Sequence, residues 1–175
     1  ASHKSSYKIS AVISNNAKAV GLSRAKTAGI DTYIIEPKSF NSKLEFENSL
    51  AARICEINPK LIVLAGFMKV LGPQFIELFH GKIINIHPSL LPEYPGLNTH
   101  QRVLKDKKKI HGVSIHFVTE DLDGGPVIAQ DQVNVLPDDT EESLARRVLE
   151  REHIIYPKVV ESLALGRIQI SDYEV

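Results

Sequence analysis

Two side chains with complementary chemistry stand two positions apart at the end of an apolar run. The run at residues 82–87 reads KIINIH and is followed by a proline. Because side chains alternate faces along a strand, Asn85 and His87 point to one face and Ile86 to the other. An amide is a donor that does not titrate, and an imidazole holds or releases a proton near neutral pH. Acyl transfer needs both groups: a donor that stabilises the developing oxyanion, and a proton for the leaving nitrogen. On spacing alone, an Asn and a His that only tie down the following loop are an equally good interpretation.

A turn that carries a carboxylate is the second candidate. Residues 119–126 read TEDLDGGP, and the two glycines after Asp123 allow a tight turn. A carboxylate close to His87 would orient the imidazole ring and favour its charged form. An ordinary hairpin turn explains the same pattern. An EF-hand calcium loop does not fit, because it requires an acid in place of Thr119 and a glutamate in place of Gln130.

Other reactive side chains give weaker signals. No His/Cys grouping has zinc spacing, and neither a G-x-G-x-x-G motif nor a P-loop is present, so we predict no metal. His111 and His116 lie in a predicted strand, where a lone histidine is more often packed or at the surface than a ligand. The single cysteine, Cys55, lies inside a helical pattern, and we expect it to pack in that helix.

Strands and helices alternate in the first half of the chain. Runs at 7–14, 31–36, 61–66 and 82–87 are typical of strands. Helices are predicted between them: one from an Asn16 cap to residue 28, one that starts at the S-x-x-E box of Ser42 and Glu45 and ends before residue 59, and one at 73–79. This alternation predicts an α/β fold with a doubly wound parallel sheet, whose ligands bind beyond the carboxyl ends of the strands.

The second half has a different pattern. A proline-rich loop at 88–95 and a helix at 98–105 precede two strands, 111–119 and 126–135, which are so close in sequence that the sheet is expected to be mixed. A long helix follows, with capping-box-like spacing at Asp139 and Glu142. Pro157 is expected to kink or interrupt this helix and Gly166 to end it, before a last short strand.

Composition narrows the classes of protein. The chain has 175 residues and equal numbers of basic and acidic residues, 21 each, so no overall charge favours nucleic acid or an anionic membrane. The basic run at residues 107–109 is best explained as a solvated loop or helix end. No apolar run approaches the roughly 20 residues of a transmembrane helix, and no secretory signal is visible. A cytoplasmic protein is the expectation.

The motifs taken together resemble the phosphoribosylglycinamide formyltransferase family. The resemblance rests on AGFMKVL at 65–71, NIHPSLLP at 85–92 with YPG at 94–96, HGVSIHFVT at 111–119 and LDGGPVI at 122–128. It continues through Glu152-His153 and Tyr156-Pro157 and covers nearly the whole chain. It implies a Rossmann-like formyltransferase fold, with a mostly parallel sheet flanked by helices and a mixed C-terminal part. It also implies transfer of a formyl group from 10-formyltetrahydrofolate, as co-substrate, to glycinamide ribonucleotide in purine synthesis.

The resemblance also implies roles for individual residues. His87 would be the general acid, Asn85 the oxyanion donor, and Asp123 the residue that positions and polarises His87. Glu152 would contact the ribonucleotide, although the preceding Leu-Glu-Arg departs from the family's more polar version. Lys43 would lie near the folate, where a solvated helix start is nearly as good an interpretation. The folate would otherwise be held by Met68, Lys69, Val70, Leu71, Thr119, Glu120, Asp121 and Leu122.

One departure and three alternatives accompany this resemblance. Residues 1–175 are expected to form a single formyltransferase domain that starts at the family's second strand, without the first strand and phosphate loop. Methionyl-tRNA formyltransferase shares the Asn-x-His and Asp set but has another loop and a further domain. A formyltetrahydrofolate hydrolase would use water as the acceptor. A folate-binding module, or a fragment that needs a partner to complete its sheet, would not turn over. The expected partners are glycinamide ribonucleotide and reduced folate, without nucleic acid or membrane, and a homodimer is allowed.

Overall fold

The fold is known from a computed structural model that describes residues 6–169, 171 and 173. The chain divides into two compact units, one made of Ala1–Lys60 with Leu71–Leu78 and the other of Leu61–Val70 with Phe79–Val175. Both units combine strands and helices, which confirms the predicted α/β class. None of the helices in the described ranges is long and apolar enough to cross a membrane.

The first unit begins with a parallel strand pair. β1 (Ala11–Ser14) and β2 (Asp31–Ile34) pair in parallel and are connected by α1 (Val20–Thr27). The predicted Asn16 cap is wrong, because Ala19 occupies the N-cap position of α1. The Asn16 side chain instead accepts a hydrogen bond from the Lys18 amide at 2.9 Å, which closes a local turn before the helix.

The second helix of this unit begins where the sequence predicted. α2 (Lys43–Ile57) is capped by Ser42, whose hydroxyl accepts from the Glu45 amide at 3.1 Å. The expectation that Cys55 packs in this helix is wrong, since its side chain is exposed. A 3-10 turn (Pro37–Ser39) precedes α2, and the short α3 (Pro73–Leu78) completes the unit.

The second unit is built on a four-stranded sheet in the order β3-β4-β5-β6. The strands are β3 (Ile62–Leu64), β4 (Ile83–His87), β5 (Ile110–Phe117) and β6 (Val127–Asn134). β3 and β4 are parallel, whereas β5 and β6 each run antiparallel to the preceding strand. This confirms the predicted mixed C-terminal part. The two central strands are the most buried, so the residues that end β4 are held on a rigid support.

A long helix covers the central strands of this sheet. α5 (Glu141–Ala164) packs Tyr156 and Val159 onto Ile84, Ile115 and Phe117. Its N-terminal half packs with the short α4 (Thr99–Lys105) against β5 and β6. Burial of these apolar side chains contributes roughly 25 cal/mol of stability per Å² of apolar surface. The helix therefore stabilises the strands that carry the site residues.

Two expectations about α5 are corrected. The cap is Thr140 rather than Asp139, in a reciprocal box with Ser143. Asp139 is instead held by Arg147, with nitrogen–oxygen distances of 2.7 and 2.8 Å. Pro157 does not interrupt the helix, which continues to Ala164; Gly166, with a φ of +67°, follows its C-cap as the sequence predicted. The predicted last strand falls partly on residues 170, 172, 174 and 175, which lie outside the described residues.

Candidate active site

The site is centred on the end of β4, in the second unit. The antiparallel register places Asn85 opposite His116 and His87 opposite Ser114, with both histidines on β4 and β5 almost fully buried. The strand alternation that predicted a shared face for Asn85 and His87 therefore also brings His116 to that face. Sequence reasoning assigned His116 no role, and only the register between two strands 30 residues apart could have revealed one.

Asp123 reaches this face from the turn between β5 and β6. Its Oδ2 lies 3.4 Å from His87 Nδ1, and its Oδ1 lies 3.7 Å from His116 Nε2. The Gly96 amide donates to Oδ2 at 2.8 Å, which orients the carboxylate. The structure thus brings together the three residues predicted to be catalytic.

The turn can approach β5 this closely because of Gly125. A Cβ atom at Gly125 would lie 2.0 Å from the carbonyl oxygen of Phe117, so no other residue fits without moving backbone. Asp123 itself has a φ of +53°, in the left-handed region that Asp tolerates better than most residues. The two-glycine turn therefore fixes the carboxylate rather than only reversing the chain.

Both ring nitrogens of His87 face oxygen atoms. Nε2 lies 2.9 Å from the carbonyl oxygen of Tyr94, which can only accept, so Nε2 carries a proton. Nδ1 faces the Asp123 carboxylate. A ring protonated on both nitrogens donates to both oxygens, and the hydrogen bond to Tyr94 favours the neutral tautomer that carries its proton on Nε2.

His116 is held in one tautomer, and this orients Asn85. Its Nδ1 donates to the Phe117 carbonyl oxygen at 2.8 Å, so Nε2 of the neutral ring is an acceptor. Asn85 Nδ2 lies 3.4 Å from that acceptor, which directs the amide NH₂ group toward His116. Burial lowers the pKa of His116. The hydrogen bond to the Phe117 carbonyl and the charge of Asp123 act in the opposite direction, but burial is the larger effect. The neutral ring is therefore the form that accepts from Asn85.

A half-buried carboxyl group, Glu152, faces the same region from α5. Burial raises the pKa of Glu152, while the charges of His153 and His87 lower it. The carboxyl group is thus within electrostatic reach of His87.

The candidate folate residues are divided between the two units. In the second unit, Met68, Val70 and Leu122 expose 72%, 59% and 59% of their surface, so their apolar side chains are accessible. Lys69, Glu120 and Asp121 are exposed, and Thr119 is half-buried. In the first unit, Lys43 is largely exposed and lies 3.6 Å from the buried Glu47, whereas Leu71 is buried.

A second pair of histidines joins α4 to β5. His100 Nδ1 lies 3.0 Å from His111 Nε2, so one of these two nitrogens donates and the other accepts. Burial lowers the pKa of His111 to about 4, with further contributions from His100 and His87, and burial also lowers the pKa of His100. Sequence reasoning missed this pair too, because its members lie on different elements.

Among the described residues, no group of three or more His, Cys, Asp or Glu side chains is arranged to hold a metal ion. The absence of a metal from the reaction stays a prediction.

Known proteins resemble this chain in sequence and in fold. The family model described as formyl transferase matches residues 1–160. The chain is 45% identical to the phosphoribosylglycinamide formyltransferase of Escherichia coli over 164 residues, 94% of this chain and 77% of that protein. It is 39% identical to the trifunctional purine biosynthetic protein adenosine-3 of Homo sapiens, over 96% of this chain but only 17% of that protein.

Solved structures agree with these relatives. The phosphoribosylglycinamide formyltransferase of Coxiella burnetii superposes with a TM-score of 0.87 at 53% identity, over 91% of this chain and 75% of that chain. Glycinamide ribonucleotide transformylase 1 of Symbiobacterium toebii gives 0.89 at 41% identity, over 93% and 76%.

Proposed function

We propose, because this chain belongs to the formyl transferase family and within it to the phosphoribosylglycinamide formyltransferases, that Asn85, His87 and Asp123 are its catalytic residues. The enzyme transfers a formyl group from a formyl-folate to the amine of glycinamide ribonucleotide, in de novo purine biosynthesis. We take 10-formyltetrahydrofolate as the donor. The observation that carries the residue assignment is the convergence of an amide, an imidazole and a carboxylate at the end of one buried strand.

Asn85 is the proposed oxyanion donor. One N–H of its amide is directed to His116, so the rotation of the amide is restricted and the second N–H has a defined direction. A donor that is already oriented stabilises the charge that develops on the formyl oxygen without reorganisation during the reaction. His116 is accordingly a positioning residue, which acts through Asn85.

His87 is the proposed general acid, and its reacting nitrogen is Nδ1. Attack of the amine forms a new C–N bond to the formyl carbon, and the C–N bond to the folate then breaks. The proton lost by the attacking nitrogen balances the one gained by the leaving nitrogen. The Nδ1 proton of His87 stabilises the oxyanion, and the Asp123 carboxylate, 3.4 Å away, orients the ring that delivers it.

The substrates are proposed to bind on either side of this group. The exposed Met68, Val70 and Leu122 offer apolar surface to a pteridine ring, and Lys69, Thr119, Glu120 and Asp121 lie beside them in sequence. Glu152 is suited to accept hydrogen bonds from ribose hydroxyl groups, since a carboxylate repels a phosphate. Folate contacts by Lys43 and Leu71, a cytoplasmic location and a homodimer stay predictions.

The test is a formyl-transfer assay with 10-formyltetrahydrofolate, with and without glycinamide ribonucleotide. We expect turnover that requires the ribonucleotide, and turnover in water alone would point to a hydrolase. Asn85→Ala should lower kcat by about 10²–10³-fold, the usual effect of removing one oxyanion donor. His87→Ala should have at least a comparable effect. His80→Ala, on an exposed residue outside the site, is the matched control. Wild-type kcat in Asn85→Ala would refute the role of the amide.

A further inference from the structure

We propose that Tyr94 is a positioning residue for the reaction: its strained backbone and restrained ring aim a carbonyl group at His87 and thereby decide which ring nitrogen exchanges the proton. This inference rests on the proposed function of His87. It concerns a residue in the loop after β4 to which the sequence motifs assign no chemistry.

The backbone of Tyr94 adopts a conformation that its side chain disfavours. Its φ is +57°, in the left-handed region where bulky residues are rare. Such conformations persist where the surroundings impose them, and they cluster at functional sites. Here the conformation turns the Tyr94 carbonyl oxygen to within 2.9 Å of His87 Nε2.

The ring of Tyr94 is restrained from several sides, which holds this conformation. Its hydroxyl donates to Asp106 Oδ2 at 2.9 Å. The guanidinium carbon of Arg102 lies 5.2 Å from the ring centroid, and Lys108 Nζ lies 5.9 Å from it. Both are cation–π distances. Arg102 also donates to the Pro95 carbonyl oxygen at 2.6 Å, which ties α4 to the backbone next to Tyr94.

The consequence for His87 is a fixed tautomer. Hydrogen bonding at one imidazole nitrogen determines which nitrogen reacts. With Nε2 donating to Tyr94, the neutral ring presents an unprotonated Nδ1 to Asp123, on the side of Asn85. A displaced carbonyl would let the ring adopt the other tautomer, with its acceptor nitrogen pointing away from the proposed reacting atoms.

Five other charged or titratable groups surround His87 and bear on the pH profile of the reaction. Asp123 faces it from the β5–β6 turn, His111 and His116 from β5, His100 from α4 and Glu152 from α5. None of these five residues is substituted in the Tyr94 variants.

The decisive variant is Tyr94→Gly. Glycine accepts a positive φ without strain, so the loop is not penalised, while the restraint on the ring is lost. We expect kcat to fall by about 10²-fold, as for a small misplacement of a catalytic group, with KM for both substrates within about threefold of wild type. Tyr94→Phe keeps the ring and its cationic neighbours but loses the hydrogen bond to Asp106, so kcat should fall less, by roughly three- to tenfold. Lys105→Met removes an exposed cation of the same helix and should leave kcat unchanged.

A direct readout is the tautomer itself. Nitrogen-15 NMR of histidine-labelled enzyme, with the His87 signals assigned by their absence in His87→Ala, should show the tautomer protonated on Nε2 in the wild type. Tyr94→Gly should show a mixture of tautomers and an altered pH–rate profile, effects that a purely structural role would not produce.

The outcomes separate this proposal from the previous one. Full activity in His87→Ala would remove the basis of both. An inactive His87→Ala together with wild-type kcat, pH profile and tautomer in folded Tyr94→Gly would overturn only the role of Tyr94. If Tyr94→Gly does not fold, Asp106→Ala, which releases the hydroxyl but keeps the ring, decides: wild-type kcat and tautomer in that variant would overturn the proposal.

Discussion

Acid should destabilise this protein through His111, and His111→Gln should remove most of the effect. His111 is 1% exposed, and its pKa is lowered from 6.5 to about 4 by burial, with smaller contributions from His100 and His87. The unfolded chain therefore binds a proton near pH 6.5 that the folded chain refuses until about pH 4. At ~1.4 kcal/mol for each pH unit, this gap corresponds to about 3 kcal/mol of folding free energy.

The pH dependence of the stability follows from the direction in which folding shifts the pKa of His111. A histidine whose folded pKa lies below its unfolded value contributes its full stability above the unfolded pKa. That contribution declines as the pH falls from 6.5 toward about 4. The His100–His111 hydrogen bond adds a structural reason, because two protonated rings 3.0 Å apart would both be donors and would repel each other.

Urea denaturation at pH values from 7 to 4 measures this effect. The wild-type free energy of unfolding should fall by about 3 kcal/mol more over this range than that of His111→Gln. The glutamine lowers stability at every pH, so only the slope with pH is informative. His80→Gln, on an exposed histidine, should leave the slope as in the wild type. An unchanged slope in His111→Gln would refute the argument.

Three further substitutions test the packing that supports the site. Gly112→Ala places a Cβ 2.1 Å from the backbone oxygen of Asp131 on β6, so we expect a loss of several kcal/mol, or no soluble protein; a melting temperature within a few degrees of wild type would contradict this. Thr140→Ala breaks the reciprocal cap with Ser143 and should lower the free energy of unfolding, measured in urea, by about 1 kcal/mol. An unchanged free energy would show that α5 does not need its cap. Tyr156→Phe removes the hydroxyl that donates to carbonyl groups of β3 and β4 at 2.7 and 3.3 Å. The free energy of unfolding should fall by about 1 kcal/mol. A stabilised variant would contradict the role of this hydrogen bond.

Local patterns determined most of the secondary structure. Apolar runs predicted all six strands of the described chain to within a few residues, and Ser42 marked the start of α2, because these signals depend only on neighbouring residues. The wrong expectations were also local. Thr140 displaced Asp139 as a cap because Arg147, eight positions further along, pairs with Asp139. Pro157 continues the helix that it was expected to interrupt, in a segment held by packing on the sheet.

Local patterns predicted part of the candidate site as well, and the tertiary structure decided the rest. Strand alternation alone predicted that Asn85 and His87 share a face, and the family motifs pointed to Asp123. The tautomer of His116 and the carbonyl of Tyr94 were decided only by the tertiary structure. Each depends on strand register or on loop conformation, which are set by contacts between residues distant in sequence. The sequence by itself thus determined which chemical groups are available, and the packing determined the directions in which they donate and accept.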